Sequence, residues 1–283
     1  MARILALIDG SIYAQSVCDH AGWLASQGQS SIELMHVLGR RDVATASPDL
    51  SGNLLMDTRD TLLAELASLD EQKAKLSQRR GRAILDEAKA RFAAKGMEVA
   101  TKLRHGDLID ALQELEPTTD VLVVGKRGEA VDFAKLHLGS NLERIVRSTT
   151  RPVLVASRAF KSIERVLVAF DGGPSANMAV AHMAASPLFK GIEVRLLMAG
   201  SETAEARRQI EAAAAKLNAA GARAQIEIVA GEPEAVILKA IDSHAINLLV
   251  MGAYGHSRIR SLIIGSTTTE MIRSCLIPVM LFR

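Results

Sequence analysis

The sequence predicts an α/β protein built as two tandem, doubly wound domains, each a five-stranded parallel sheet with helices on both faces. Short continuous apolar runs alternate with longer segments of helical period, as expected when strands are buried on both sides and joined by crossover helices. The same order of segments occurs twice, and 283 residues suit two ordinary domains, each large enough to bury a core. With 48% apolar but only 3% aromatic residues, those cores must be aliphatic, made of Val, Ile, Leu, Ala and Met.

The repeat is visible residue by residue. Arg3-Ile4-Leu5-Ala6-Leu7-Ile8-Asp9-Gly10 aligns with Arg165-Val166-Leu167-Val168-Ala169-Phe170-Asp171-Gly172, and Val121-Leu122-Val123-Val124-Gly125 with Leu248-Leu249-Val250-Met251-Gly252. Ile145-Val146-Arg147-Ser148 matches Met271-Ile272-Arg273-Ser274, and Arg151-Pro152-Val153-Leu154-Val155 matches Ile277-Pro278-Val279-Met280-Leu281. The expected domains are residues 1–157 and 163–283, separated by a short polar junction that leaves the two units packed together.

In the second copy, apolar runs place strands near 165–170, 193–198, 223–229, 247–251 and 278–282. Segments of helical period place helices near 175–186, 203–219, 233–243 and 266–275. Gly231-Glu232-Pro233 reads as a turn feeding a helix with proline in its first position, and Gly106-Asp107 is its counterpart. The first copy follows the same order, but its offset from the second falls from 162 residues at Asp9/Asp171 to 127 at Gly125/Gly252. The extra length is assigned to an insertion at 39–95, whose charged stretch from Thr61 to Lys95 reads as a solvated helix or as a lid or partner-binding arm. The last strands, Val153 to Ala156 and Val279 to Phe282, are too apolar to stay as open edges, so they are expected to pair with each other. One chain would then resemble a dimer of single-domain units, with a further homodimer left open.

In an open parallel sheet, ligands bind beyond the carboxyl ends of the strands. Gly252-Ala253-Tyr254-Gly255 lies at such an end, followed by nine residues and then Gly265-Ser266-Thr267 at a helix start. Glycine lets backbone N–H groups approach an anion, and a helix start adds unpaired N–H groups at the positive end of its dipole. Phosphate fits that arrangement, with His256, Arg258 and Arg260 as further donors nearby, although the same hydroxyl-rich segment also serves as an ordinary cap. The first copy repeats it as Gly125-Lys126-Arg127-Gly128, ten residues, then Gly139-Ser140. Lys126 and Arg127 add positive charge there, whereas Glu129 beside Gly128 opposes it.

The spacing Gly-x2-Gly-x9-Gly-[Ser/Thr] after the fourth strand, with an aspartate closing the first, resembles the universal stress protein family in its tandem two-domain form. The resemblance spans the chain outside the insertion that follows His36, and the first copy departs from it by one extra spacer residue. It implies Rossmann-like or flavodoxin-like domains that bind ATP, with or without magnesium, the phosphates lying against Gly252, Gly255, Gly265, Ser266 and Thr267. By the same resemblance, Asp171 and the backbone near Met198 face adenine and ribose; the first-copy equivalents are Asp9, His36-Val37, Gly125, Gly128, Gly139 and Ser140. The implied role is nucleotide-dependent regulation in stress adaptation rather than dedicated catalysis, with slow ATP hydrolysis left open and the second copy favoured as receptor. The alternative is an interaction module that binds no nucleotide and works through the helical insertion.

Other classes fit poorly. A formal charge of +2 spread over the chain lacks the concentrated basic surface of a nucleic-acid binder. No run is long enough to span a membrane, and Met1 to Ile8 meets Asp9 too early for a signal peptide, so a cytoplasmic protein is expected. Neither a P-loop nor a Gly-x-Gly-x-x-Gly turn is present, and Asp9-Gly10-Ser11-Ile12 is not the pyrophosphate loop of an ATP pyrophosphatase. Cys18 and Cys275 lack metal-ligand spacing and are assigned to the core; His36 and His105, both at strand ends, lack the partners of a metal site.

Overall fold

The computed structural model describes residues 2–26, 30–39, 56–128, 140–253 and 265–283. The first half of the chain runs β1 (Arg3–Leu7), α1 (Ala14–Ala25), β2 (Ser31–Leu38), α2 (Met56–Ala93), β3 (Ala100–His105), α3 (Leu108–Leu115), β4 (Val121–Gly125), α4 (Ser140–Ser148) and β5 (Val153–Ala156). The second half runs β6 (Arg165–Ala169), α5 (Pro174–Ala185), β7 (Glu193–Ala199), α6 (Ala204–Ala219), β8 (Arg223–Val229), α7 (Pro233–Ser243), β9 (Leu248–Gly252), α8 (Ser266–Ser274) and β10 (Val279–Phe282). Local chemistry fixes several starts. Pro174 and Pro233 occupy first-turn positions where no N–H is needed, the Thr203 hydroxyl accepts from Ala206 N–H, and the Asp107 carboxylate accepts from Ile109 N–H.

Among the described residues the two halves form one sheet of ten strands, in the order β3-β2-β1-β4-β5-β10-β9-β6-β7-β8. Every neighbouring pair is parallel except β5 and β10, which run antiparallel with Leu154 opposite Met280. The expected pairing of the last strands is thus present, and it closes both edges at once. Alternation along each strand feeds two apolar layers. Ile4, Ala6, Leu154, Val166, Met280 and Phe282 enter the layer beneath α1, α2, α5 and α6. Leu5, Val153, Val155, Leu167, Val279 and Leu281 enter the layer beneath α3, α4, α7 and α8. Both layers run through the β5/β10 seam, so the halves share their cores.

Polar contacts reinforce the seam. The Lys126 ammonium donates to the carbonyls of Arg273 (2.8 Å) and Cys275 (2.9 Å) at the end of α8. Arg283 reaches the opposite way, to the Arg147 carbonyl (2.7 Å) at the end of α4. Cations at helix carboxyl ends satisfy orphan carbonyls and complement the dipole. In the connection between the halves, Phe160 packs its ring edge-on against His20.

The long helix departs from its expected reading as wholly solvated. Its last turns bury Leu85, Ala88 and Phe92 against the sheet, matching Ile210, Ala213 and Leu217 of α6 at a constant offset of 125 residues. These turns are the ordinary covering layer of a parallel sheet, and the exposed part is Leu62 to Arg80, none of it buried. Gly81 marks the change: a Cβ there would stand 2.8 Å from Leu103 Cδ1 and 3.0 Å from His36 Cδ2, so a larger residue would require those side chains to shift. Among the described residues no helix is long and apolar enough to cross a membrane.

Candidate functional site

The carboxyl ends of β1 and β4, and of β6 and β9, lie side by side because each pair is adjacent and parallel. Asp9 and Asp171 follow β1 and β6 and make the same local turn. Asp9 Oδ1 accepts from Ser11 N–H at 3.0 Å, and Asp171 Oδ1 from Gly173 N–H at 2.8 Å. Each carboxylate is thereby fixed at the mouth of its half before any ligand arrives. Gly172 takes φ +75° in the second turn, a region that favours glycine.

Register makes the strand equivalences explicit. Leu7 pairs with Met35 and Ala169 with Leu197, so His36 and Met198 each stand one residue past that point. Both are buried. His36 Nδ1–H donates to the Ile8 carbonyl at 2.8 Å, and its Cδ2 lies close over Gly81, so the imidazole is a structural link between β1 and β2. His36 pairs with Leu103 and His105 with Leu38, which separates the two histidines along the strands. Among the described residues no cluster of three potential metal ligands occurs.

In the first half, Gly125 ends β4 beside the start of α1, where a Cβ would come 2.9 Å from Tyr13 Cβ. Gly128 lies against Asp9: a Cβ there would stand 3.1 Å from Asp9 Oδ2. The structure therefore brings Asp9, Gly125 and Gly128 together. Lys126, expected to favour phosphate, is instead committed to the end of α8 across the seam. Its removal from water lowers its pKa. Ser140 opens α4, while Gly139 and Glu129 lie outside the described residues.

In the second half, the start of α8 is docked directly on the end of β9. Gly265 N–H donates to the Ala253 carbonyl at 3.2 Å, and the Thr268 hydroxyl to the Gly252 carbonyl at 3.0 Å. The first bond of the helix runs from Thr269 N–H to the Gly265 carbonyl, so the N–H groups of Ser266, Thr267 and Thr268 have no carbonyl within the helix. They lie at the end of the strand that also carries Gly252, where Ser266 is exposed and Thr268 buried. The Thr267 hydroxyl is already used, donating to Glu234 at 2.7 Å. That bond holds the Glu234 carboxyl below its usual pKa. Gly255, His256, Arg258 and Arg260 lie outside the described residues.

One feature was not anticipated from the sequence. A cleft of about 300 Å³ opens beside Asp9, between Gly10 to Ile12, Gln15 of α1, and Glu87 and Arg91 of α2. Glu87 and Arg91 form an i,i+4 ion pair at 2.9 Å, and the spacing of Ile84, Ala88 and Arg91 on one helical face was the available signal. In the second half the Gln209 side chain lies against Gly172, the counterpart of Gly10. Cys18 also lines the cleft, but burial pushes its thiol up to about 11, leaving it protonated and inert at neutral pH.

The second-half arrangement suits an anionic ligand in kind: a strand ending in glycine and a helix start whose first N–H groups have no carbonyl within the helix, beside an anchored carboxylate. A model of the universal stress protein family matches residues 1–157 and 193–283. A universal stress protein of Synechocystis sp. is 38% identical over the full length of both chains, and one from Bacillus subtilis is 28% identical over 54% of this chain and 97% of its own. The crystal structure of a universal stress protein from Archaeoglobus fulgidus superposes with a TM-score of 0.71 at 18% identity, covering 99% of this chain and 98% of that one. With the family model meeting both copies of the strand, glycine loop and helix unit, and a relative aligned from end to end, the chain belongs to the universal stress protein family, in its tandem form.

Proposed function

We propose that the protein is an adenine-nucleotide receptor in the stress response, binding ATP chiefly in its second half and acting as a regulator rather than an enzyme. Family membership supports the stress-response role. The observation that carries the nucleotide reading is the docking of α8 on the end of β9. The N–H groups of Ser266 to Thr268, which have no acceptor within the helix, are held beside Gly252, at the same end of the sheet as the anchored Asp171. On this reading those groups hold the phosphates together with Gly255, and Asp171 and the backbone near Met198 hold the adenosine. Magnesium enters with the triphosphate and supplies charge neutralisation.

The first half is the weaker receptor on this reading, because its spacer is one residue longer and Lys126 is engaged elsewhere. A cytoplasmic site of action suits a chain whose Cys18 and Cys275 are buried free thiols. Binding regulates only if two states of the protein differ in affinity for the nucleotide. The test is to release and identify nucleotide from the purified full-length chain. Adenine nucleotide is expected in the native protein and absent from Gly255→Val, which places a branched side chain on the phosphate loop. A folded native protein that retains none and takes up none would refute the proposal.

A further inference from the structure

The exposed part of α2 carries an apolar stripe and a clean separation of charge. Leu62, Leu69 and Leu76 recur every seven residues with Leu66 between the first two, and Leu69 and Leu76 are 54% and 67% exposed. A seven-residue repeat of leucine is the seam of a helix that packs against another helix. From Leu62 to Gln72 the only charged residues are Glu65, Asp70 and Glu71; from Lys73 to Arg82 they are Lys73, Lys75, Arg79, Arg80 and Arg82. The acidic and basic halves are therefore consecutive on one rod about 30 Å long, at the usual rise of an α-helix. The rod is anchored where Gly81 packs on Leu103 and His36 and where Leu85, Ala88 and Phe92 enter the core.

We propose that this segment is a self-association surface, and that its partner is the same segment of a second copy of this chain, packed antiparallel. A parallel pair would set acid against acid and base against base along its whole length. An antiparallel pair sets each acidic half against a basic half, and does so twice, as a two-fold interface requires. Centred between Leu69 and Lys73, it brings Leu66 of each copy near Leu76 of the other and Glu65 near Arg79 of the other. The surface belongs to the α2 connection between β2 and β3 of the first half, whereas the β5/β10 seam and the proposed second-half receptor at Asp171 and Gly252 lie on other elements.

The test is sedimentation velocity on the intact chain at low salt, over a concentration series. A reversible monomer–dimer equilibrium is expected, and because one helix pair is a small interface its dissociation constant should lie in the micromolar range, about 1 to 100 μM. The double variants E65K/E71K and R79E/R82E, all at exposed positions, should each weaken the dimer at least about tenfold by opposing like charges. Mixing the two variants should restore it, because each reversed charge at 65 then meets an opposite one at 79 of the other copy, one rod being strongly net basic and the other net acidic. Under oxidation, E65C mixed with R79C should cross-link, and neither should do so alone. A chain that stays monomeric to about 1 mM, a dimer indifferent to both charge swaps, or self-linking of E65C would each overturn the proposal.

Discussion

The β5/β10 seam joins the two repeated halves through shared apolar layers, so they are expected to unfold as one cooperative body, and Leu154→Ala tests that directly. Leu154 is 0% exposed and faces Met280, also 0% exposed, across the antiparallel pair. Its side chain lies in the layer shared by α1, α2, α5 and α6, with buried neighbours on both sides of the seam. Truncating a buried leucine costs about 2–5 kcal/mol, and a site packed this densely belongs in the middle of that range, about 3–4 kcal/mol. For a chain of this size that corresponds to a fall in Tm of roughly 6–12 °C. Leu276→Ala is the control: Leu276 is 91% exposed, and its truncation should change stability by no more than about 0.5 kcal/mol. The assay is urea unfolding with native-state hydrogen exchange. Amides of β9 and β10 should lose protection together with those of β4 and β5 when Leu154 is truncated. A loss below about 1 kcal/mol, or one confined to the first half, would show that the halves are separate bodies in loose contact.

Two more predictions follow from buried groups. His20 and His182 have pKa values depressed by burial; for His20 the Nδ1–H bond to the Ser16 carbonyl opposes that shift, and for His182 the Asp120 charge does. Each folded pKa lies below its unfolded value of 6.5, so the unfolded chain gains the proton first. Stability is therefore intact above pH 6.5 and declines as pH falls below it, by at most about 1.4 kcal/mol per pH unit for each histidine. Urea titrations of His20→Phe between pH 7.5 and 5 should show a shallower decline than the native chain; an identical slope would contradict the assignment. Lys126→Ala should destabilise the protein by about 1 kcal/mol, because the carbonyls of Arg273 and Cys275 lose their donor. ATP affinity should be unchanged, and a tenfold loss would return Lys126 to the phosphate loop.

Much of the fold was legible because both faces of each strand are buried, which writes strands as unbroken apolar runs such as Val121 to Val124 and Leu248 to Met251. The seam was legible for a related reason, since two equally apolar terminal strands cannot both remain edges. The end of the exposed helix was not, because Leu85, Ala88 and Phe92 are spaced among Arg82, Asp86, Glu87, Lys89 and Arg91, and the charges masked the buried stripe. At the candidate site, the sequence located Asp171, Gly252 and the start of α8, where the chemistry is local to a strand end. Side-chain commitments made over long separations were hidden. His36 serves the Ile8 carbonyl, Thr267 serves Glu234, and Lys126 serves carbonyls 147 and 149 residues away. Those pairings follow from sheet order, which repeat spacing does not encode.

Calorimetric titration of the intact chain with ATP and magnesium decides whether the duplicated stress-protein fold has kept a working nucleotide receptor in its second half. One site per chain is expected, lost in Gly255→Val while Gly128→Val binds as the native protein does. A folded chain that shows no binding, or one whose single site survives Gly255→Val and is lost in Gly128→Val, would contradict it.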